Sequence, residues 1–556
     1  MNTETKQCNK CKEAFIIEID DFAFYEKMGV PAPVLCPSCR FQRRCLFRNE
    51  MTLYNRTCAL CGKSVISMYN PKSPYTVWCH KCWDSDVWDP YSYGQKYDPS
   101  RPFFEQLGEL LRRVPKKTTV TSSGAGPNIN SDYANMAGGN KNCYFVFNTG
   151  NCEETMYSRG LRQCRDTVDA YFGNDIERCY ETVNVQESSG VMWGQNVTGS
   201  LDSTFLLNCS GCSNCFGCVN LRNKSYHFFN EPLSKDEYKK RVKAVVGSYA
   251  GTEEMRRKFE EFALKHPRRE NSNLKTVNST GNYLFESKNL SDCFEASKCE
   301  DCKYGFSIKL AKDSYDSIGY GYSSELLLEC VAVGYAQHII GSYWVEMDSQ
   351  DVAYSFAIRN GKYCFGCDGL KGAEYCILNT RYEKEEYERL RERIVEELKA
   401  ADEYGLFLPP ALAPFAYNET VGQDNMPLTK KEALAAGFRW EDELQMTKGK
   451  ETMVPDDIPD HIKDVPKSIT DEVLKCVSCE RNYRITPSEL RFYQKMIIPV
   501  PRKCFYCRHA DRLNRRGPMK IFDRTCDMCS KQIKTVYAPD RKEIVYCEQC
   551  YQSEIV

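Results

Sequence analysis

The chain has 556 residues, with 75 lysine and arginine residues against 76 aspartate and glutamate residues, and it contains 32 cysteines. This length exceeds what one hydrophobic core supports, so several domains are expected. The near-zero net charge excludes a global field that would attract polyanions, and any nucleic-acid surface must therefore be local.

The sequence carries no feature of export or of membrane insertion. Its first residues, MNTETKQCNK, are polar, and no apolar run is long enough to span a bilayer. So many cysteines without an export signal are consistent with a reducing compartment. We therefore expect a cytoplasmic protein that has no membrane partner.

Eight cysteines near the start of the chain form four C-x2-C pairs, and the same spacing recurs near the C-terminal end at an offset of 468 residues. A tight turn of this kind directs two thiolates at one ion, and two turns together complete a tetrahedral zinc shell. With four thiolates per ion no coordination position stays open, which indicates structural sites. The predicted zinc ligands are, site by site, Cys8, Cys11, Cys36 and Cys39; Cys58, Cys61, Cys79 and Cys82; Cys476, Cys479, Cys504 and Cys507; and Cys526, Cys529, Cys547 and Cys550. A cross-braced pairing within each copy is the main alternative.

The residues around the first two cysteine pairs carry a family resemblance. The run DDFAFYEKMGVPAPVLCPSCRFQRR resembles the uncharacterised multi-zinc-ribbon, treble-clef-like proteins of candidate-phyla bacteria. The resemblance covers residues 8–82 and is weaker in the C-terminal copy, where the segment from Cys504 to Cys507 lacks the proline of the N-terminal copy. It implies zinc binding and supplies no known biochemical activity.

A basic run follows the second cysteine pair in both copies. Its arginines have the spacing of one helix face, and a zinc-stapled helix that displays arginines is a common means of gripping phosphates. The alternative is that these arginines cap carbonyl groups and face solvent. Because both copies keep the run, we predict a nucleic-acid surface. The predicted nucleic-acid-binding residues are Arg40, Arg43, Arg44, Arg48, Arg508, Arg512, Arg515 and Arg516.

Between the terminal modules, aromatic residues recur at short and nearly regular intervals, in segments separated by asparagine, glycine and aspartate. Short strands at such intervals are typical of the stacked coils of a β-solenoid, and a β-sandwich is the alternative. The region also repeats internally at an offset of 149 residues, since Asp202 matches Asp351 and Phe205 matches Tyr354. A charged helical segment follows each half, and the first begins with a capping box at Ser234.

Four cysteines in this region, Cys209, Cys212, Cys215 and Cys218, form a C-x2-C-x2-C-x2-C run. The spacing is similar to that of an iron–sulfur binding run, but the ferredoxin version has three residues before its last cysteine and a proline after it, where Val219 stands here. Because free cysteine packs as a small apolar side chain, we expect these thiols to be core residues stacked between coils. A further zinc ion and an iron–sulfur cluster are the alternatives.

The sequence lacks the motifs G-x-x-x-x-G-K, H-E-x-x-H and G-x-S-x-G. Parallel β-helices often act on carbohydrates, and Asp169, Asp175, Glu177 and Glu181 are available as carboxylates. No spacing singles out a pair among them. We therefore predict a protein that is not an enzyme and has no catalytic residues.

The predicted fold is multidomain and mainly β, with duplicated tandem four-cysteine zinc-ribbon modules at both ends of a repetitive β-solenoid-like centre that carries inserted helices. We predict a zinc-binding, non-catalytic protein that holds about four zinc ions and binds nucleic acid bivalently, with RNA favoured over DNA. A protein–protein scaffold or assembly factor is the alternative, and a carbohydrate-active solenoid enzyme is the third hypothesis. The target and the oligomeric state stay open.

The predicted boundaries are 1–100 for the N-terminal module, 101–130 for a helix and linker, 131–232 for the first solenoid half, 233–275 for a helical segment, 276–382 for the second solenoid half, 383–470 for a helix and docked linker, and 471–556 for the C-terminal module.

Overall fold

The computed structural model describes residues 3–121, 125–444 and 446–555, so residues 122–124 of the predicted helix and linker lie outside the described residues. The chain divides into two compact units, and each unit combines two separate stretches. Unit 1 comprises Met1–Ser123 and Asn273–Asp442, and unit 2 comprises Gly124–Ser272 and Glu443–Val556. Each terminal module therefore shares a unit with the half of the central region that is farther from it in sequence.

Twelve α-helices occur among the described residues, and one of them begins at the capping box that the sequence predicts at Ser234. The side chains of Ser234, Thr429 and Thr486 each accept a hydrogen bond from the backbone N–H three residues later. The helices are α1 (Ile19–Lys27), α2 (Pro37–Cys45), α3 (His80–Trp83), α4 (Phe103–Arg113), α5 (Lys235–Lys243), α6 (Tyr249–Ala263), α7 (Lys384–Ala400), α8 (Val421–Asn425), α9 (Lys430–Ala435), α10 (Pro487–Met496), α11 (Phe505–Arg516) and α12 (Glu548–Ile555).

The strands of unit 1 belong to its terminal module and to its solenoid. Those of the module are Glu4–Gln7, Ala14–Ile17, Tyr54–Thr57, Ser64–Ser67, Val77–Trp78 and Lys116–Lys117. Those of the solenoid are Gly281–Asn282, Lys288–Ser291, Cys293–Phe294, Glu300–Lys303, Phe306–Ile308, Ala311–Tyr320, Ser324–Val333, Ala336–Ile340, Tyr343–Glu346, Ser349–Ala353, Phe356–Arg359, Lys362–Phe365, Glu374–Ile377 and Thr380–Arg381.

The strands of unit 2 divide in the same way. Those of the solenoid are Ala134–Asn135, Tyr144–Phe147, Met156–Arg162, Val168–Glu177, Tyr180–Met192, Gln195–Thr198, Leu201–Leu207, Phe216–Val219, His227–Phe228 and Glu231–Pro232. Those of the rest of the unit are Arg268–Arg269, Leu474–Lys475, Asn482–Tyr483, Phe522–Thr525, Gln532–Thr535 and Val545–Tyr546.

The central region of unit 2 is a parallel β-solenoid, as predicted. Its strands pair in parallel with a twelve-residue register, for example Val168 with Tyr180 and Thr204 with Phe216. This register gives each coil the same length and places equivalent positions directly above one another. The β-sandwich alternative is therefore wrong.

Every third residue of these coils has a left-handed backbone. Asn142, Phe145, Asn148 and Asn151 have φ between 52° and 54°, and the pattern continues through most of the solenoid. Asparagine, aspartate and glycine tolerate this conformation best, which accounts for their frequency in the region. Each coil is therefore a series of short extended segments turned by left-handed residues, and side chains repeat with a period of three instead of two.

One residue in three points into the solenoid, and these inward residues are mostly small. In unit 2 they are cysteine, alanine, valine, leucine and isoleucine side chains that form one core cluster. The buried thiols also use the backbone, because Cys215 Sγ lies 3.5 Å from the carbonyl oxygens of both Ser213 and Lys224. Small side chains suit this narrow interior, which explains why cysteine is so frequent here.

The central region of unit 1 has the same solenoid construction with some irregular coils. Most strand pairs keep the register seen in unit 2, but Ala311 pairs with Ser324 and Ala336 pairs with Ser349, which makes two coils one residue longer. Each extra residue shifts the three-residue pattern by one position. A long helix, α7, follows the last hairpin of this solenoid, as α5 does in unit 2.

No helix among the described residues has the length and apolar character needed to cross a membrane.

Candidate metal centres and their arginine clamps

Four clusters of four cysteines bring their sulfur atoms together. In each cluster all four Sγ atoms lie within 4.8 Å of one another, which allows each cluster to hold one metal ion. The clusters are Cys8, Cys11, Cys36 and Cys39; Cys58, Cys61, Cys79 and Cys82; Cys476, Cys479, Cys504 and Cys507; and Cys526, Cys529, Cys547 and Cys550. The predicted grouping of neighbouring C-x2-C pairs is thus confirmed, and the cross-braced alternative is wrong.

The same backbone geometry builds all four clusters. The first cysteine pair occupies the turn of an antiparallel hairpin, and the residue after that pair has a positive φ, as at Lys12 and Gly62. The second pair lies at the start of a helix, where Cys36 is the N-cap of α2 and Cys504 is the N-cap of α11. Helix N-termini present free N–H groups and a positive partial charge, which favour thiolates.

An amide hydrogen bond that reaches across the cluster recurs in each one. The backbone N–H of Cys36 donates to Cys8 Sγ at 3.3 Å, and in the other three clusters the equivalent distance is 3.2 Å. Burial disfavours the ionised form of Cys58, but backbone hydrogen bonds, that from Cys79 above all, outweigh it and lower the pKa to about 6. The pKa of Cys526 is likewise lowered to about 6. These amides therefore favour the deprotonated thiol that a metal ion requires.

In unit 1, the arginines of α2 form a buried clamp with the solenoid. Arg40 Nη2 lies 2.9 Å from Asp316 Oδ2, and Arg44 Nη2 lies 2.9 Å from Asp316 Oδ1. Arg44 also pairs with Glu329, and the side chains of all four residues are at most 3% exposed. Asp316 and Glu329 have left-handed backbones and occupy equivalent positions of neighbouring coils. The clamp thus ties the helix that begins at Cys36 to two coils of the solenoid.

In unit 2, the arginines of α11 form an equivalent clamp. Arg508 Nε lies 2.8 Å from Asp169 Oδ2, and Arg512 Nη1 lies 2.9 Å from Asp169 Oδ1 and 3.0 Å from Glu181 Oε1. Arg515 Nη2 lies 3.0 Å from Glu181 Oε2. Here too the two carboxylates occupy equivalent positions, one coil above the other. The internal duplication therefore extends from the cysteine spacing to the residues that each module contacts.

A second, more exposed ion pair repeats beside each clamp. Lys27 of α1 pairs with Asp313 at 2.7 Å in unit 1, and Lys495 of α10 pairs with Asp166 in unit 2. The two lysines are 468 residues apart, as the cysteines are. The contact between module and solenoid has thus been duplicated as a whole surface.

Seven of the eight arginines that were predicted to bind nucleic acid are buried inside the protein. Arg43 donates to the carbonyl oxygen of Leu408 and Arg48 pairs with Glu50, while Arg516 Nη1 lies 2.8 Å from the hydroxyl of Tyr171. Arg40, Arg43, Arg44, Arg48, Arg508, Arg512 and Arg516 are buried, and Arg515 is partly buried. The charges of the seven buried arginines face carboxylates, backbone carbonyls and a phenol inside the protein, whereas the Arg515 side chain beside Glu181 is 29% exposed.

The sequence alone does not identify the carboxylates that pair with the clamping arginines. Asp169 and Glu181 stood out only as carboxylates without a characteristic spacing, whereas their separation equals the length of one coil. Burial raises the pKa of Glu181 and raises that of Glu329 to about 7, against the opposing effect of the nearby arginines. Once the length of one coil is known, the separation of Asp169 and Glu181 identifies them as residues at equivalent positions of neighbouring coils.

The run Cys209, Cys212, Cys215 and Cys218 does not form a fifth cluster. Its four sulfur atoms do not make a metal-ligating group among the described residues. Each cysteine occupies an inward position of the solenoid and donates to backbone carbonyls, as Cys209 does to Leu207 and Cys218 does to Phe216. The burial of all four thiols in the solenoid core agrees with the predicted role as core residues.

No protein-family model matches this chain, and no curated protein sequence matches it. Among solved structures, a "putative acetyltransferase" from Desulfovibrio desulfuricans G20 is similar over 47% of this chain and 68% of its own, with 10% sequence identity and a TM-score of 0.11. Agreement this low identifies neither a shared fold nor a shared activity.

Proposed function

We propose that the protein is a non-catalytic scaffold in which four structural zinc ions hold the terminal modules against two β-solenoids, and that the outer surfaces of these units bind protein partners. The clamps carry the proposal. Both arginine helices that begin at the metal clusters are committed to buried carboxylates of the solenoid. A helix used in this way organises the protein itself, which favours the scaffold over the nucleic-acid hypothesis.

Zinc is the metal that the donor set fits best. Four thiolates around one ion favour zinc in a tetrahedral site and leave no position for water or substrate. The two-residue spacing within each pair, the hairpin turn and the helix N-terminus together resemble a treble-clef-like knuckle. The ion would fix the start of α2 or α11, and hence the direction in which the clamping arginines point.

A non-catalytic role is supported by the burial of the carboxylates with shifted pKa values and of the solenoid cysteines. Catalytic sites tend to hold perturbed titratable groups in accessible clefts. Here the shifted carboxylates Glu181 and Glu329 are buried against arginines, and the solenoid cysteines are buried among apolar side chains. None of the 32 cysteines, all of which lie within the described residues, forms a disulfide, which suits a metal-binding protein of a reducing cytoplasm.

The metal part of the proposal is tested by elemental analysis of protein purified without added metal. About four zinc ions per chain and negligible iron are expected, from four all-thiolate clusters. Replacement by cobalt(II) should give the intense thiolate-to-metal absorption of tetrahedral sulfur coordination. Iron in place of zinc, or protein that stays fully folded in both modules without bound metal, would contradict this part.

The scaffold part is tested separately by retention on immobilised single-stranded RNA and on double-stranded DNA across a range of salt concentrations. Phosphate contacts weaken steeply as the salt concentration rises. We expect no specific retention at physiological ionic strength. Strong, salt-dependent retention would instead restore the nucleic-acid hypothesis, on a surface other than the buried arginines.

A further inference from the structure

A groove in unit 2 lies between α5, α6 and the last coil of the solenoid. Its volume is about 530 Å³, and it opens to solvent. Because all of its residues belong to unit 2, the groove is complete within that unit. It is lined by Phe228, Phe229, Arg241, Ala244, Val245, Met255, Lys258, Glu261, Phe262 and Lys265.

The floor of the groove is apolar and preformed. Phe229 and Phe262 meet edge to face with ring centroids 5.3 Å apart, and Phe228 stacks on the buried Phe216 at 5.0 Å. Met255 is buried beside them, whereas the three lining phenylalanines keep part of their surface exposed. Aromatic side chains with a neighbouring methionine are typical of surfaces that accept apolar side chains of a partner.

The rim of the groove is mainly basic. Arg241, Lys258 and Lys265 surround the floor, and Glu261 is the one carboxylate among the lining residues. Arg241 and Lys258 pair with glutamates of their own helices, but these side chains are 41% and 51% exposed, and exposed pairs of this kind are weak. A carboxylate of a ligand can therefore replace these glutamates as the partner of Arg241 and Lys258. The local charge thus favours an acidic ligand.

We propose that this groove binds an acidic, amphipathic peptide segment of a partner protein. Apolar side chains of the segment would contact Phe229 and Phe262, and its carboxylates would pair with the basic rim. This inference rests on the proposed scaffold function and names the chemistry of one partner.

The geometry favours a peptide over single-stranded nucleic acid. Base stacking requires an open aromatic face. Phe228 is covered on one side by Phe216 and has the Arg241 guanidinium 5.6 Å from its ring centroid, while Phe229 and Phe262 turn edge to face. The floor instead offers crevices between side chains, which suit leucine-like or phenylalanine-like anchors spaced along a helix.

The experiment is a selection from a phage-displayed peptide library on the full-length, metal-loaded protein, followed by fluorescence anisotropy with the enriched peptides. The test variant is the double substitution Lys258→Glu and Lys265→Glu, which reverses the rim charge with exposed residues. The matched control is Lys239→Glu with Lys240→Glu, two exposed lysines of α5 that do not line the groove. Circular dichroism melts of both variants check that each is folded.

We expect enriched peptides to be net acidic with two apolar anchors at helical spacing, to bind at least tenfold more weakly to the rim variant, and to bind the control as they bind the wild type. Enrichment without acidic character, or equal binding to the rim variant, would overturn the proposal. So would binding of a short single-stranded RNA that the rim variant abolishes, which would assign the groove to nucleic acid. The zinc content measured in parallel shows whether the scaffold itself is intact, so a failure of this groove is distinguishable from a failure of the proposed function.

Discussion

Arg512 Nη1 lies 3.0 Å from Glu181 Oε1, although 331 residues separate the two in sequence. The pair joins a helix that begins at a metal cluster to a coil of the solenoid, and both side chains are nearly inaccessible to solvent. Buried ion pairs contribute little net stability compared with apolar contacts of the same shape, but they penalise any arrangement that leaves one charge unmatched. The clamp therefore specifies which surface the module contacts.

Removal of one clamp arginine should destabilise unit 2 strongly. The substitution Arg512→Met leaves Asp169 and Glu181 buried without their shared partner, which should cost about 3–5 kcal/mol. The measurement is urea unfolding combined with hydrogen exchange of α11. Adding Glu181→Gln should recover part of the loss, because it removes a buried charge that only the partly exposed Arg515 still pairs with.

The control for this substitution is Arg389→Met on α7. Arg389 pairs with Glu386 at the surface, where its side chain is 61% exposed. A change of no more than about 0.5 kcal/mol is expected there. Equal effects of the two substitutions would show that Arg512 acts as an ordinary surface residue and that the clamp is not formed in solution.

The metal clusters were predictable because ligand spacing is a local property. Two residues between cysteines determine a turn, and the turn determines where both sulfur atoms point, whatever the rest of the fold. The partners of the arginines were not predictable in this way. Arg44 and Glu329 are 285 residues apart, and arginines spaced along one helix face have the same pattern whether they meet solvent, phosphate or buried carboxylates.

The solenoid was predictable from the sequence only in part. The recurrence of aromatic residues predicted stacked coils, but it did not reveal the length of one coil or the left-handed backbone at every third position. Bulky residues such as Phe145 and Tyr157 adopt that conformation here, against their intrinsic preference. The stacking of identical positions from coil to coil imposes it, and a local propensity cannot show this.

Loss of one cluster should leave the other three intact. The substitution Cys504→Ser removes a ligand at the start of α11, so the zinc content should fall from about four to about three ions per chain. Hydrogen exchange should increase over α11, because the metal ion no longer fixes the N-terminus of the helix that carries the clamping arginines. The matched control is Cys215→Ser, a buried solenoid thiol that contacts backbone carbonyls and no metal cluster among the described residues.

That control should keep the full zinc content even if it destabilises the solenoid. A fall in zinc with Cys215→Ser would show that the solenoid cysteines bind metal after all. Retention of the full zinc content by Cys504→Ser would contradict the assignment of the third cluster.

The left-handed positions should discriminate sharply between substituents. Asn196 has φ of 54° and hydrogen-bonds to the side chains of Asn184 and Asn208 on the neighbouring coils, each at 3.0 Å. Both Asn196→Gly and Asn196→Val remove these bonds, but only valine also carries the steric cost of a left-handed backbone, about 1–2 kcal/mol. Valine should therefore be the more destabilising of the two by that amount in urea unfolding. Equal losses for the two variants would argue against the left-handed backbone at this position.

Protonation of one buried carboxyl should make unit 1 more stable at acidic pH. Asp368 contacts Lys116, and both side chains are buried. Burial raises the pKa of Asp368 from 3.8 to about 6, although the nearby lysine opposes this, so the folded state holds its proton more tightly than the unfolded chain does. The stability supplied by this group is fully present below about pH 4 and is lost as the pH rises through about 6, by roughly 2–3 kcal/mol at most.

The substitution Asp368→Asn keeps the shape of the side chain and removes its titration. The difference in unfolding free energy between wild type and variant should therefore change between about pH 4 and pH 6 and be constant on either side of that window. Urea unfolding of both proteins at several pH values, with a probe in unit 1, measures this difference. The sign is diagnostic: the wild type should lose stability relative to the variant as the pH rises. The opposite slope would mean that Lys116 holds the pKa of Asp368 below its ordinary value, and that the pair is ionised throughout.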